Sequence, residues 1–148
     1  MRTICEQARV LVTADCGITA ASEIQIACDL GVDVIVVDHH TAPDVLPPSL
    51  ANLDPVRPDC PYPYKGLCAT GVAFMLVCAL RRLLRDEGYF RERPEPDVRN
   101  LLDVVAVATV ADMVPMTGAN RDTGGFAGLR QMAHSRRAGM RALFIFPR

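Results

Sequence analysis

Two strand-like runs joined by one helical repeat constrain the fold of this chain more than any other feature. The runs cover residues 9–14 and 32–37, are rich in Val and Ile, and do not alternate strictly between polar and apolar positions, which is typical of strands buried on both faces. Between them, apolar residues recur every three or four positions, at Ile18, Ala21, Ile24, Ala27 and Leu30. A strand, a helix and a strand within about 30 residues predict a βαβ unit, whose strands are parallel.

The ends of the predicted helix carry signals of their own. Thr19 or Ser22 could cap its start with a hydroxyl group, because short polar side chains accept hydrogen bonds from the first free amides of a helix. Gly31 stands where a glycine commonly ends a helix. The helix is therefore expected to begin near one of these hydroxyls and to end before Gly31.

Beyond residue 40, the pattern predicts one long loop and three helices. Seven prolines between positions 41 and 66 favour a loop, and a helix follows at 70–87. Residues 97–111 are rich in Val but long enough to favour a helix over a strand, and a last helix is expected around 125–134. The predicted fold class is α/β, with a parallel sheet core flanked by helices and followed by a mainly helical segment.

Length and composition limit the class of protein. The 148 residues, half of them hydrophobic, suffice for one ordinary domain. No stretch approaches the roughly 20 apolar residues of a membrane helix, and the N-terminus lacks the apolar core of a signal peptide. We therefore expect a soluble, cytoplasmic protein without a membrane partner. The six cysteines form no C-x-x-C pair, which argues against a zinc ribbon.

The charge is unevenly distributed, although its net value is −1. From position 121 onward, a single acid, Asp122, accompanies six arginines: Arg121, Arg130, Arg136, Arg137, Arg141 and Arg148. Such a segment could follow the phosphate backbone of a nucleic acid. A solvated helix face with a loose tail explains it as well, and both interpretations stay open.

Polar side chains follow both predicted strands. Asp15 comes directly after the first strand, and Asp38, His39 and His40 come directly after the second. The carboxyl ends of parallel strands lie at one edge of a sheet, so these groups should converge there. Carboxylate oxygen alone suits Mg²⁺, whereas an added imidazole shifts the preference towards Mn²⁺ or its neighbours. Taken alone, Asp15 could also be a turn residue, and Asp112 could merely end a helix.

Several blocks, taken in order, resemble a known family. Residues 36–40, Val-Val-Asp-His-His, look like the signature of the DHH phosphoesterase superfamily. More narrowly, the chain resembles the RecJ type of single-strand-specific exonuclease over about residues 10–121. The blocks that carry this resemblance are residues 13–18, 52–55, 60–63 with Lys65, 71–74, 102–106, 109–115 and 120–121.

The resemblance implies a catalytic role for four residues. Asp15 corresponds to the carboxylate that bridges two metal ions, and His39 and Asp112 correspond to further metal ligands. His40 corresponds to a second active-site histidine near the metal and the scissile phosphate. The four residues would therefore form one catalytic centre.

Two further residues are expected to support that centre. Asp38 is expected to fix the orientation of the histidines from behind, and Arg121 is expected to contact the substrate. In relatives, two Mn²⁺ or Mg²⁺ ions activate a water that attacks a phosphodiester. Single-stranded DNA is degraded there from its 5′ end, in DNA repair and recombination.

The chain departs from the family pattern at both ends. The family's first motif, a D-x-D pair on an earlier strand, is absent, since Glu6 is the only acid before Asp15. The substrate-binding domain that follows the catalytic domain is missing too. We expect a partial catalytic domain at 1–121 and a truncated helical continuation at 122–148. Such a fragment should bind at most one ion and show little or no nuclease activity alone, and single-stranded DNA would be the partner of the full-length protein.

Two alternatives stay open. Other DHH relatives are pyrophosphatases or phosphodiesterases that act on small nucleotides, and the substrate is chosen by the missing domain. Some DHH-fold proteins have lost their metal ligands and serve as non-catalytic scaffolds. Metal binding separates the scaffold from both enzymatic interpretations, the exonuclease and the small-nucleotide enzyme, because a scaffold should bind no Mn²⁺.

Overall fold

Three parallel strands form the sheet. They are β1 (Val10–Ala14), β2 (Asp33–Val37) and β3 (Ala51–Leu53), in the order β1-β2-β3. Their register pairs Ala14 with Val37, and Val37 with Leu53. The predicted α/β class, the first two strands and their parallel direction are confirmed.

The third strand contradicts the prediction of an uninterrupted loop over residues 41–66. A strand of three residues is too short to show a period-two pattern, and prolines surround it in the sequence. Its backbone is ordered by pairing with β2, which is a contact between distant parts of the chain.

The computed structural model describes residues 2–145, which divide into two compact units between Ala73 and Phe74. Among the described residues, no helix has both the length and the apolar composition needed to cross a membrane. The predicted domain boundary at residue 121 stays a prediction.

Helix α2 (Ala21–Asp29) connects β1 to β2 and covers the sheet. A short helix, α1 (Arg2–Cys5), precedes β1. The core of the first unit joins the buried side of α2 to β2 and to the segments beside them, through Cys5, Ile18, Ile24, Ala27, Val32, Val34 and Val36. This burial explains why a helix of nine residues is stable here, since most helical stability in proteins comes from packing.

The two ends of α2 give different outcomes for the predicted caps. Gly31 has a φ of 78° and its amide donates to Cys28 O over 2.8 Å, so the predicted terminal glycine is confirmed. The N-cap residue is Ala20, without a side-chain cap, so the prediction of Thr19 or Ser22 is wrong. The chain enters the helix through a backbone turn in which Ala20 N donates to Gly17 O over 2.9 Å.

Helix α3 (Ala69–Asp86) follows, and it confirms the helix predicted at 70–87. In the second unit, a 3₁₀ turn (Val98–Leu101) leads into α4 (Leu102–Ala111), which confirms the preference for helix over strand there. The remaining elements are α5 (Gly118–Asn120), a π-helical segment (Arg121–Gly128), α6 (Leu129–Ala133) and α7 (Ala138–Ile145). The helix predicted around 125–134 therefore begins earlier in the chain.

Packing in the second unit depends on close approach between α4 and the π-helical segment. A Cβ on Gly128 would lie 2.6 Å from the Cβ of Ala106 and 2.7 Å from Leu102 O, so only glycine fits there. Nearby, the buried carboxylate of Asp103 accepts hydrogen bonds from Ser135 Oγ (2.6 Å) and Arg137 Nε (3.2 Å). These bonds tie the start of α4 to the segment before α7.

Candidate metal centre

Each of the three parallel strands is followed directly by an aspartate. Asp15 N donates to Val37 O, and Asp38 N donates to Leu53 O, each over 3.0 Å, so the ladder continues by one step beyond the strands. The register then places Asp15, Asp38 and Asp54 in one row at the carboxyl edge of the sheet. The convergence predicted from parallel topology is thus observed for the first two strands.

Asp15 occupies an unusual backbone conformation. Its φ is 63°, in the left-handed region, which aspartate tolerates better than most residues. Gly17 follows with a φ of 114°, and a Cβ on it would lie 2.6 Å from Thr13 Oγ1. This tight turn directs the chain away from β1 and leaves the Asp15 side chain 63% exposed.

The carboxylate of Asp38 is buried and saturated with hydrogen bonds. Oδ2 accepts from Ile18 N (3.0 Å), and Oδ1 accepts from His39 N (2.8 Å) and lies 2.6 Å from His40 Nδ1. Burial alone would raise its pKa, but these hydrogen bonds outweigh burial and lower the pKa of Asp38 below its ordinary value. Asp38 therefore has the contacts that its predicted orienting role requires, and the role itself stays a prediction.

The two histidines face Asp15. His39 Nε2 lies 3.1 Å from Asp15 Oδ1, and the rings of His39 and His40 have centroids 4.5 Å apart. One ligand atom from each of the three residues lies within 4.8 Å of the other two. The His39 side chain is 13% exposed and that of His40 is 57% exposed, so the cluster is open to solvent on one side.

This donor set fits a divalent transition metal. One carboxylate oxygen and two imidazole nitrogens suit Mn²⁺ or its neighbours, whereas an all-oxygen set would suit Mg²⁺ better. Asp38 holds one imidazole by its other nitrogen, which is the arrangement that commonly orients histidine ligands.

Asp54 belongs to the same edge; its block, residues 52–55, carries part of the family resemblance, but the sequence analysis assigned Asp54 no role. It is 4% exposed; its Oδ1 accepts from Val56 N over 2.8 Å, whereas its buried Oδ2 has no hydrogen-bond partner among residues 2–145. Burial is the largest influence and raises the pKa of Asp54 above its ordinary value, although the hydrogen bond from Val56 N lowers it; the charge of Asp38 adds a smaller raising effect. Its place at this edge depends on the pairing of β3 with β2, which the sequence pattern did not predict.

The other two predicted residues lie in the second unit. Asp112 caps the end of α4 and is exposed, with its amide donating to Ala108 O over 2.9 Å. Arg121 begins the π-helical segment, and its guanidinium lies 5.8 Å from the ring centroid of Phe126. Their predicted roles in metal and substrate binding stay predictions.

Comparison with known proteins gives concordant matches. The model of the DHH family, N-terminal domain, matches residues 2–109. The chain is 47% identical over 116 residues to the single-stranded-DNA-specific exonuclease RecJ of Escherichia coli strain K12, covering 77% of this chain and 20% of that protein. It is 42% identical over 138 residues to the protein of the same name from Dickeya dadantii strain 3937, covering 92% of this chain and 24% of the relative.

A solved structure matches as well. The crystal structure of exonuclease RecJ bound to manganese has a TM-score of 0.78 to this chain at 34% identity, over 96% of this chain and 34% of the other. Against the two curated relatives, this chain spans about a fifth to a quarter of their length.

Proposed function

The chain belongs to the DHH family, and from that premise we propose that it carries part of the catalytic centre of a RecJ-like, metal-dependent exonuclease for single-stranded DNA. The relatives named above are exonucleases specific for single-stranded DNA, and one solved relative binds manganese. The same relatives are bacterial enzymes that act on DNA, which supports a cytoplasmic location. Strand degradation from the 5′ end is part of the proposal.

The observation that carries the proposal is the cluster of Asp15, His39 and His40. Their ligand atoms lie within 4.8 Å of one another at the carboxyl edge of a parallel sheet, which is where open α/β sheets bind ligands. Exposed acids often gather without a metal, but two imidazoles beside one carboxylate form a donor set that suits divalent transition metals, and the manganese bound by the solved relative favours Mn²⁺ among them.

Each residue has a distinct part in the proposed centre. Asp15 and His39 would hold the cation, and Asp38 fixes the ring of His40 through the hydrogen bond at Nδ1. Asp112 is proposed as a further ligand and Arg121 as a substrate contact, both from the family resemblance. When bound, a divalent ion polarises the phosphoryl group and lowers the pKa of a coordinated water. The chain alone is proposed to bind at most one ion and to hydrolyse DNA weakly or not at all.

Manganese titration of the 148-residue chain tests the proposal. Calorimetry or electron paramagnetic resonance should detect at most one Mn²⁺ per chain, and His39→Ala should abolish this binding. His134→Ala is the matched control, because His134 is an exposed histidine of the second unit and should leave the affinity unchanged. A wild-type chain that binds no Mn²⁺ would support a scaffold and contradict the proposed centre.

Substrate and polarity need the full-length protein. Single-stranded oligonucleotides labelled at either end should be shortened from the 5′ end in Mn²⁺, and the His39→Ala protein should leave them intact. Preferential cleavage of cyclic or short dinucleotides would favour the small-nucleotide branch of the family instead.

A further inference from the structure

We propose that Asp54 is a positioning residue of the metal centre, whose buried carboxylate adds negative charge and an acceptor oxygen to the sheet edge that holds the cation. The inference rests on the proposed function, since it requires that Asp15 and His39 bind a divalent ion. Asp54 is not proposed as a direct ligand, because the three clustered ligand atoms come from Asp15, His39 and His40.

Strand pairing places Asp54 at this edge. Val37 pairs with Leu53, and Asp38 N donates to Leu53 O over 3.0 Å, so the residues that follow, Asp38 and Asp54, are neighbours across β2 and β3. Asp54 also interacts electrostatically with both Asp38 and His39. Asp54 therefore follows β3 directly, beside the strand that both histidines follow.

A turn explains the contact of only one of the two carboxylate oxygens of Asp54. Oδ1 accepts from Val56 N over 2.8 Å, which is the usual contact of an aspartate that begins a turn. Asparagine or serine would make this contact without a buried charge. Oδ2 is buried and has no hydrogen-bond partner among residues 2–145, and leaving such an atom without a partner costs free energy. The turn therefore accounts for Oδ1 and leaves the charge and Oδ2 unexplained.

A divalent ion held by Asp15 and His39 would offset the buried charge, and an ordered water between the ion and Asp54 would supply the donor that Oδ2 lacks. The sheet edge carries three carboxylates in one row, and the negative charges of Asp38 and Asp54 disfavour each other. A hydrated divalent ion beside Asp15 and His39 offsets this repulsion, and groups behind the ligands commonly strengthen metal affinity. Asp54 thus lowers the stability of the metal-free chain and favours the metal-bound one.

Two isosteric variants of the chain test this inference. Asp54→Asn keeps the acceptor for Val56 N but removes the charge and the second acceptor oxygen. Asp33→Asn makes the same chemical change at the opposite end of β2. Asp33 lies four residues before Val37, so the two residues are roughly 13 Å apart at the rise of a strand. We expect Asp54→Asn to weaken Mn²⁺ binding by about tenfold and Asp33→Asn to change it by less than twofold.

Thermal unfolding with and without Mn²⁺ supplies a second measurement. Asp54→Asn should unfold at no lower temperature than wild type without metal, and Mn²⁺ should raise its Tm less than it raises that of wild type. A residue with a purely structural role would lower the metal-free Tm and leave Mn²⁺ affinity unchanged, and that result overturns the inference. Should Asp54→Asn fail to fold, Asp54→Ser keeps an acceptor for Val56 N and carries the same comparison.

The outcomes separate this inference from the proposed function. If wild type binds Mn²⁺, His39→Ala does not, and Asp54→Asn binds as wild type does, the proposed centre stands and the role of Asp54 is refuted. If wild type itself binds no Mn²⁺, both fail. Weakened binding in Asp54→Asn together with normal binding in Asp33→Asn supports the inference.

Discussion

The carboxylate of Asp38 and Nδ1 of His40 lie 2.6 Å apart, although Asp38 is buried and most of the His40 side chain is exposed. A carboxylate can only accept a hydrogen bond, so Nδ1 of His40 carries a proton and donates a hydrogen bond to Asp38. In the neutral ring, the lone pair is then on Nε2. Asp38 thereby selects the tautomer in which Nε2 can act as a ligand or as a base.

Asp38→Asn should disturb both the tautomer and the stability. The amide places an NH₂ group where Oδ1 or Oδ2 now accepts from backbone amides, so at least one buried donor loses its acceptor, at a cost of about 2–3 kcal/mol in the free energy of unfolding. Chemical denaturation measures this loss, and ¹⁵N NMR of the imidazoles reports the tautomer of His40. An unchanged His40 spectrum in a folded variant would contradict the orienting role.

The acid stability of the chain should depend on Asp38. Hydrogen bonds hold the pKa of Asp38 below its ordinary value of 3.8, so the folded carboxylate releases its proton more readily than the unfolded one. Its contribution to stability is therefore fully present above pH 3.8 and is lost as the pH falls through the lower, folded pKa. Below pH 4, the free energy of unfolding should fall more steeply with decreasing pH for wild type than for Asp38→Asn. Equal slopes for the two proteins would argue against this role of Asp38.

The pH dependence of stability that Asp54 causes should have the opposite sign to that of Asp38. Burial, with the charge of Asp38, raises the pKa of Asp54 above its ordinary value of 3.8. The folded state then holds this proton more tightly than the unfolded state, and the stability due to Asp54 is lost as the pH rises from 3.8 through the folded pKa. Without metal, Asp54→Asn should gain stability relative to wild type over that range. A stability difference that does not vary with pH would contradict the raised pKa.

Gly17→Ala should destabilise the turn that carries Asp15. The φ of 114° is unfavourable for alanine, and the new Cβ would lie 2.6 Å from Thr13 Oγ1 and 3.3 Å from Val36 Cγ1. We expect a loss of about 1–3 kcal/mol in the free energy of unfolding, together with weaker Mn²⁺ binding. Gly139→Ala is the control, because among the described residues no atom lies within 4 Å of a Cβ placed there. Equal stabilities of the two variants would contradict this explanation.

Asp103→Ala should destabilise the second unit without affecting the Asp15 and His39 centre. It removes the buried acceptor of Ser135 Oγ and Arg137 Nε, which should cost about 2 kcal/mol in the free energy of unfolding. Arg137 is half-exposed and can regain hydration, so the loss is smaller than for a fully buried ion pair. Hydrogen exchange should increase in α4 and α7, and no change there would refute the role of Asp103 as a tie between segments.

Part of the candidate site follows from sequence because local patterns determine it. Buried strands of Val and Ile followed by Asp15 and by Asp38-His39-His40 specify which residues reach the carboxyl edge, and parallel pairing requires them to converge. The terminal glycine of α2 belongs to the same class, since a left-handed φ at Gly31 favours glycine whatever surrounds it.

The remaining features depend on contacts between distant residues. Ala20 rather than a hydroxyl residue is the N-cap of α2, at the end of a backbone turn in which Ala20 N donates to Gly17 O. The strand β3 exists because β2 offers it a free edge, and its three residues carry no pattern strong enough to predict.

Short-range periodicity is enough to specify the βαβ core, and the motif blocks are enough to indicate the family and to point to Asp15, His39 and His40. Long-range packing places Asp54 in the row beside Asp38 and buries its second carboxylate oxygen without a partner among the described residues. Burial and pairing arise when segments far apart in sequence pack together, and the periodicity of residues 41–66 does not predict a strand there.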